Sequence, residues 1–110
     1  MKNYIITSAP QKELHNNIRK KISNHLEILS NGFNILGTRS DTAVDVVESV
    51  ILSMDESGLL DAGSLWACLT SNKQIEMCVS VMNGKDVSSG LVGMIQNIRN
   101  PIKSCHLVME

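Results

Sequence analysis

The apolar residues of this chain change their period part-way along, and that change excludes both a helical bundle and an all-β fold. In the first half they recur every three or four residues. Leu14, Ile18, Ile22, Leu26 and Leu29 form one such series, and Val44, Val47, Val50 with Ile51, and Met54 form another. That spacing lines one side of a helix. From residue 75 the pattern becomes alternating, with Ile75, Met77, Val79 and Val81 set between Glu76, Cys78, Ser80 and Met82. Alternation at period two is the mark of a strand.

Local signals set the boundaries. Tyr4-Ile5-Ile6-Thr7 reads as a short strand stopped by Pro10, which cannot join a hydrogen-bonded ladder. The first helix starts near Gln11 and is expected to stop at Asn31-Gly32, since glycine accepts a left-handed turn. Thr42 and Asp45 have the spacing of a capping box, and Asp55-Glu56-Ser57-Gly58 closes the second helix. That helix is rich in valine, a poor helix former, so packing has to hold it. Leu65–Thr70 and Ile75–Met82 flank Ser71-Asn72-Lys73-Gln74 as a hairpin, both of its faces at least partly covered, and Asn83-Gly84 makes the next turn. Gly90–Ile95 reads as a buried strand whose glycines permit close approach. Pro101 opens a last helix capped by Asn100. The order is strand, helix, helix, three strands, helix: a mixed α/β (α+β) chain. Residues 1–110 read as one domain without repeats or linkers.

Composition narrows the function classes. Tyr4, Phe33 and Trp66 are the only aromatics, so no stacking platform for bases is available. The net charge is −1, which gives no general attraction to nucleic acid or to anionic membranes. No stretch approaches the roughly 20 apolar residues of a membrane span. The opening residues hold too short an apolar run for a secretory signal. Three cysteines, an odd number, are then expected as free thiols in a reducing, cytoplasmic setting. Cys68, Cys78 and Cys105 with His15, His25 and His106 lack zinc-site spacing, so buried thiols and surface imidazoles are expected. A crosslink between Cys68 and Cys78 is disfavoured in such a compartment. Arg19-Lys20-Lys21 reads as a solvated helix face. Ser80 lies in a strand without a Gly-x-Ser-x-Gly elbow, and no triad or phosphate loop is present.

Several ordered segments resemble one family. Thr42-Ala43-Val44-Asp45-Val46-Val47-Glu48 is similar to a Ser-Ala-Val-Asp-Ala-Val-Glu helix, and Asp61-Ala62-Gly63 stands where Asn-Ala-Gly is carried. Ile75–Met77 and Ser80–Gly84 resemble a strand and a Met-Asp-Gly turn. Gly84–Val92, Ile98–Lys103 and Leu107-Val108-Met109-Glu110 follow a Gly-Ala-Val strand, an Asn-Pro-Ile helix start and a Leu-Val-Met-Glu helix. Gly32-Phe33-Asn34-Ile35-Leu36 resembles a Gly-Tyr-x-Ile-Leu helix end. These are segments of the isoaspartyl peptidase/L-asparaginase (plant-type asparaginase) family, and together they cover most of residues 11–110.

The resemblance implies part of an αββα N-terminal nucleophile hydrolase sandwich, made as a self-cleaving precursor. The exposed threonine attacks asparagine or a β-aspartyl bond, its own α-amine serving as base and an oxyanion hole holding the intermediate. In the family that threonine and the substrate-gripping groups lie beyond the span matched here. The expectation is therefore a truncated N-terminal portion with no catalytic residue of its own, inactive alone. It implies no organic cofactor, and as a partner a dimer mate of asparaginase-like fold. The alternative reading is a non-catalytic module that pairs with a full-length relative or another protein.

Departures cluster near the chemistry. The family's glycine-rich loop is Thr7-Ser8-Ala9-Pro10 here, and its Asn before Ala-Gly is Asp61, which brings charge and loses amide donors. Asp-Ala-Ser is Cys78-Val79-Ser80, and Met-Asp-Gly is Met82-Asn83-Gly84. Asp61 and Gly63 are the remnants of a substrate region, and Asp61 reads most simply as a turn-capping carboxylate. The stretch from Met54 to Ser64 matches the family's sodium loop. There the backbone carbonyls of Met54, Asp55, Ser57, Leu60 and Ala62 are the candidate ligands, with a plain helix-to-strand connection as the alternative.

Overall fold

The computed structural model describes residues 5–6, 18–37, 42–57 and 69–110. Among the described residues there are three helices and one two-stranded antiparallel sheet: α1 (Ile18–Leu36), α2 (Ala43–Glu56), β1 (Met77–Met82), β2 (Ser89–Ile95) and α3 (Pro101–Met109). Mixed α/β character is as the two apolar periods require. Ile5 and Ile6 lie outside any strand, and the remainder of the expected first strand lies outside the described residues. Of the expected first hairpin arm, residues 65–68 also lie outside them, and what is described is a single bridge, Leu69 to Ile75. Among the described residues there are thus two strands and a bridge. The tip of that hairpin is as expected: Thr70 N–H donates to Gln74 O at 2.8 Å, and Lys73 turns in the left-handed region at φ 59°.

α1 continues straight through Asn31-Gly32 instead of stopping there. Gly32 is used for proximity: a Cβ on it would sit 2.5 Å from Val50 Cγ2 of α2. The buried side of α1 is consequently Ile28 and Gly32 with Ile35 and Leu36 beside them, packed on Val46, Val50 and Met54. Of the series picked out by spacing, Ile22 and Leu26 are exposed and Leu29 is half-buried, while the side chains of Leu14 and Ile18 lie outside the described residues.

α2 begins with the expected capping box. Thr42 N–H donates to Asp45 Oδ2 at 2.8 Å, and Asp45 N–H donates to Thr42 Oγ1 at 3.3 Å. Its valines serve two neighbours. Val46 and Val50 pack on α1, whereas Val44 joins Val81, Ile102 and Cys105 beneath α3. Val47, expected inside, is exposed because the buried arc is centred on Val46.

One face of the sheet lies under α3. Val81 pairs with Gly90, Val79 with Val92 and Met77 with Ile95, and all of these positions face inward or are partly covered. A strict alternation on β2 would put Met94 inward. A bulge opposite Cys78 instead inserts one residue, Met94 takes φ 54°, and Ile95 becomes the buried partner of Met77. The opposite face, with Cys78, Ser80, Met82, Leu91 and Met94, is exposed rather than covered, and Leu91 is 74% exposed. α3 opens on Pro101 as expected, but Asn100 makes no side-chain cap, and its Oδ1 is buried without a partner. Among the described residues no helix is long and apolar enough to cross a membrane.

Candidate functional site

The end of α2 is where the sequence places its candidate cation loop, and one of its described carbonyls, that of Met54, accepts two hydrogen bonds. Met54 O accepts from Ser57 N–H at 3.2 Å and from Ser57 Oγ–H at 2.8 Å. Both bonds close the end of the helix. Asp55 is buried, 9% exposed, and burial followed by the neighbouring Glu56 charge pushes its carboxyl above the ordinary range. Glu56 is met by Arg99 at 3.7 Å. Leu60 and Ala62, and the substrate-region remnants Asp61 and Gly63, lie outside the described residues. Among the described residues no group of three or more His, Cys, Asp or Glu side chains is placed to hold a metal ion.

The most polar junction inside the packed part was not legible from spacing. His106 of α3 makes a short hydrogen-bonded ion pair through Nδ1 to Glu48 of α2, and its Nε2 faces Glu110 at 3.9 Å. The hydrogen bond to Glu48 raises the imidazole pKa above its ordinary value, and the charges of Glu48, Glu110 and Asp45 act in the same direction. His106 is thus a partly buried helix clasp, not the surface imidazole expected. Both ring nitrogens face carboxylates, so the ring has no hydroxyl or thiol to activate.

Two of the hydroxyls and one thiol have structural duties too. Thr42 Oγ1 bonds Asp45 in the cap, and Ser88 Oγ bonds Asp86 at 2.7 Å in the β1–β2 turn. Cys105 is fully buried with its thiol donating to Gly90 O at 2.9 Å, whereas Cys78 is an exposed free thiol, against expectation. Cys105 faces the sheet while His106 faces α2, so the neighbouring pair points two ways. A cavity of about 180 Å³ opens between the end of α1, α2 and Ile5–Ile6, lined by residues such as Leu36, Val46, Val47 and Ile51. Among the described residues its walls carry no polar side chain to orient an amide substrate.

Comparison with known proteins gives the affiliation that this geometry does not. The isoaspartyl peptidase/L-asparaginase of Homo sapiens is 40% identical over 79 residues, covering 72% of this chain and 25% of the relative. That of Mus musculus is 37% identical over 103 residues, covering 94% of this chain and 29% of the relative. The plant-type L-asparaginase of Pyrococcus horikoshii is 33% identical over 72 residues, covering 66% and 23%. The chain thus spans about a quarter of the length of the curated relatives it matches. The family model described as asparaginase matches residues 4–110, nearly the whole chain, and the chain accordingly belongs to the asparaginase family.

Proposed function

We propose that this chain forms a helix-and-sheet layer of an isoaspartyl peptidase/L-asparaginase-type hydrolase with αββα architecture. We propose further that these 110 residues by themselves do not hydrolyse L-asparagine or β-aspartyl peptides. The observation that carries the first statement is the family match over residues 4–110. The second is supported by the chemistry of the described groups: Thr42 and Ser88 are held in caps, and His106 is held between carboxylates. A cytoplasmic setting is supported by the free thiols of Cys78 and Cys105. The test is release of ammonia from L-asparagine and of aspartate from a β-aspartyl dipeptide by the purified chain. No turnover is expected; release that survives control purification overturns the inactive reading.

A second reading is favoured by the bare sheet face. Ser80, Met82, Leu91 and Met94 are exposed there, which makes this an apolar-rich face for a solvated antiparallel sheet. An interaction module that pairs with an asparaginase-like partner would cover it. Light scattering of the chain with a full-length relative separates the readings, since a stable complex without turnover supports pairing.

A further inference from the structure

The chain contains two Asn-Gly dipeptides, Asn31-Gly32 and Asn83-Gly84, and the fold puts them in opposite circumstances. Asn-Gly is the sequence at which a backbone amide most readily attacks the preceding side-chain amide, because glycine has no Cβ to block the approach. Asn83 stands at the mouth of the β1–β2 turn. Its N–H donates to Ser88 O at 2.8 Å and its carbonyl accepts from Val87 N–H at 2.9 Å, so the residue is held at both backbone ends. Its side-chain Oδ1 accepts from Lys85 N–H at 3.1 Å. An Asx turn of this kind folds the side-chain carbonyl back over the next peptide unit, and the bond from Lys85 draws electron density from the carbonyl carbon. Gly84 is exposed, and an added Cβ would meet nothing within 4 Å. Its N–H donates to no hydrogen bond among the described residues.

Asn31-Gly32 offers none of this. It lies inside α1, where the Gly32 N–H belongs to the helical ladder, and Gly32 is buried against Val50. Attack there has to wait for the helix to open.

We propose that Asn83 is a site of spontaneous modification, at which the β1–β2 turn converts itself to an isoaspartyl or aspartyl linkage. The Gly84 nitrogen forms a bond to Asn83 Cγ, the Cγ–Nδ2 bond breaks, and ammonia leaves with the proton that Gly84 gave up. Water then opens the five-membered imide. Addition at the backbone carbonyl leaves the chain running through Cγ as isoaspartate, and addition at Cγ leaves aspartate. No reactant other than water enters. The isoaspartyl product lengthens the turn by one methylene, so the bonds from Asn83 N–H to Ser88 and from Val87 N–H to Asn83 can no longer both be kept. The β1–β2 turn loosens, and a negative charge appears beside Asp86.

The test incubates the folded 110-residue protein in mildly alkaline buffer and follows both dipeptides by peptide mapping and mass spectrometry, scoring replacement of NH by O. Asn83 is expected to convert at least roughly tenfold faster than Asn31 while the protein is folded, because only Asn31 needs an opening event. In concentrated denaturant the two rates should converge. Gly84→Ala places its methyl in open space and should slow conversion at Asn83 without changing the circular dichroism spectrum. Equal rates at the two sites in native buffer overturn the proposal, as does a Gly84→Ala protein that converts as fast as the parent.

Discussion

Cys105 and Gly90 hold each other twice. The Cys105 thiol donates to Gly90 O at 2.9 Å, while the Cys105 carbonyl oxygen lies 2.3 Å from where a Cβ on residue 90 would stand. Helix α3 can sit this close to β2 only because residue 90 has no side chain. Gly90→Ala must therefore push backbone away from backbone, and the expected loss is about 1–3 kcal/mol or more, the usual range for overpacking. Gly93→Ala is the control, since its Cβ would meet only Cys78 Sγ at an ordinary 3.7 Å. Urea unfolding of the two variants side by side decides it; matching midpoints would show that α3 is not seated as described.

Gly32 makes the corresponding contact between α1 and α2. Alanine in a helix interior normally gains about 1 kcal/mol over glycine. Here the new methyl would lie 2.5 Å from Val50 Cγ2, a side-chain atom that has to move. Gly32→Ala is expected to destabilise the chain, and pairing it with Val50→Ala should recover part of the loss. The double-mutant cycle reads this as coupling between the two sites. Additive effects would remove Gly32 from the helix contact.

The clasp between His106 and Glu48 predicts a direction of pH dependence. The folded pKa of His106 lies above its ordinary 6.5, so the folded state favours the protonated ring. Its contribution is fully present below 6.5 and fades as pH rises through the elevated folded value. Thermal unfolding should therefore show α3 less firmly held on the alkaline side of neutrality, and Glu48→Gln should flatten that dependence. Titration of the His106 ring protons by NMR supplies the direct check; a value at or below 6.5 contradicts the clasp.

The cap of α2 gives the simplest prediction. Thr42→Ala removes the hydroxyl that accepts from Asp45 N–H, and loss of such a cap costs about 1 kcal/mol. Unfolding followed at a helix-sensitive wavelength should shift accordingly. Thr42→Ser keeps the oxygen and should stay near the parent.

Much of this was written locally. The capping box of Thr42 and Asp45, the end of α2 near Ser57, the Pro101 start of α3 and the turn after Met82 each depend on contacts within a few residues, so the sequence carries them. Family membership was legible for the same reason, in short segments whose order and residues agree with the relatives. Of the candidate site, only Met54, Asp55 and Ser57 fall among the described residues. There the engaged Met54 carbonyl could not be foreseen, since nothing in residue types shows which carbonyl a serine will cap.

The sequence by itself determined where α2 and α3 begin, and that helices and strands would be mixed, because periodicity and capping act along the chain. Only tertiary structure decided which stripe of α1 is buried, whether Gly32 ends a helix or lets two helices touch, and that Met94 bends aside so that Ile95 can face Met77. It also joined His106 to Glu48 across 58 positions. Each of these depends on which surfaces of distant segments meet, and an apolar spacing permits more than one answer until a neighbour covers one face and leaves the other to water.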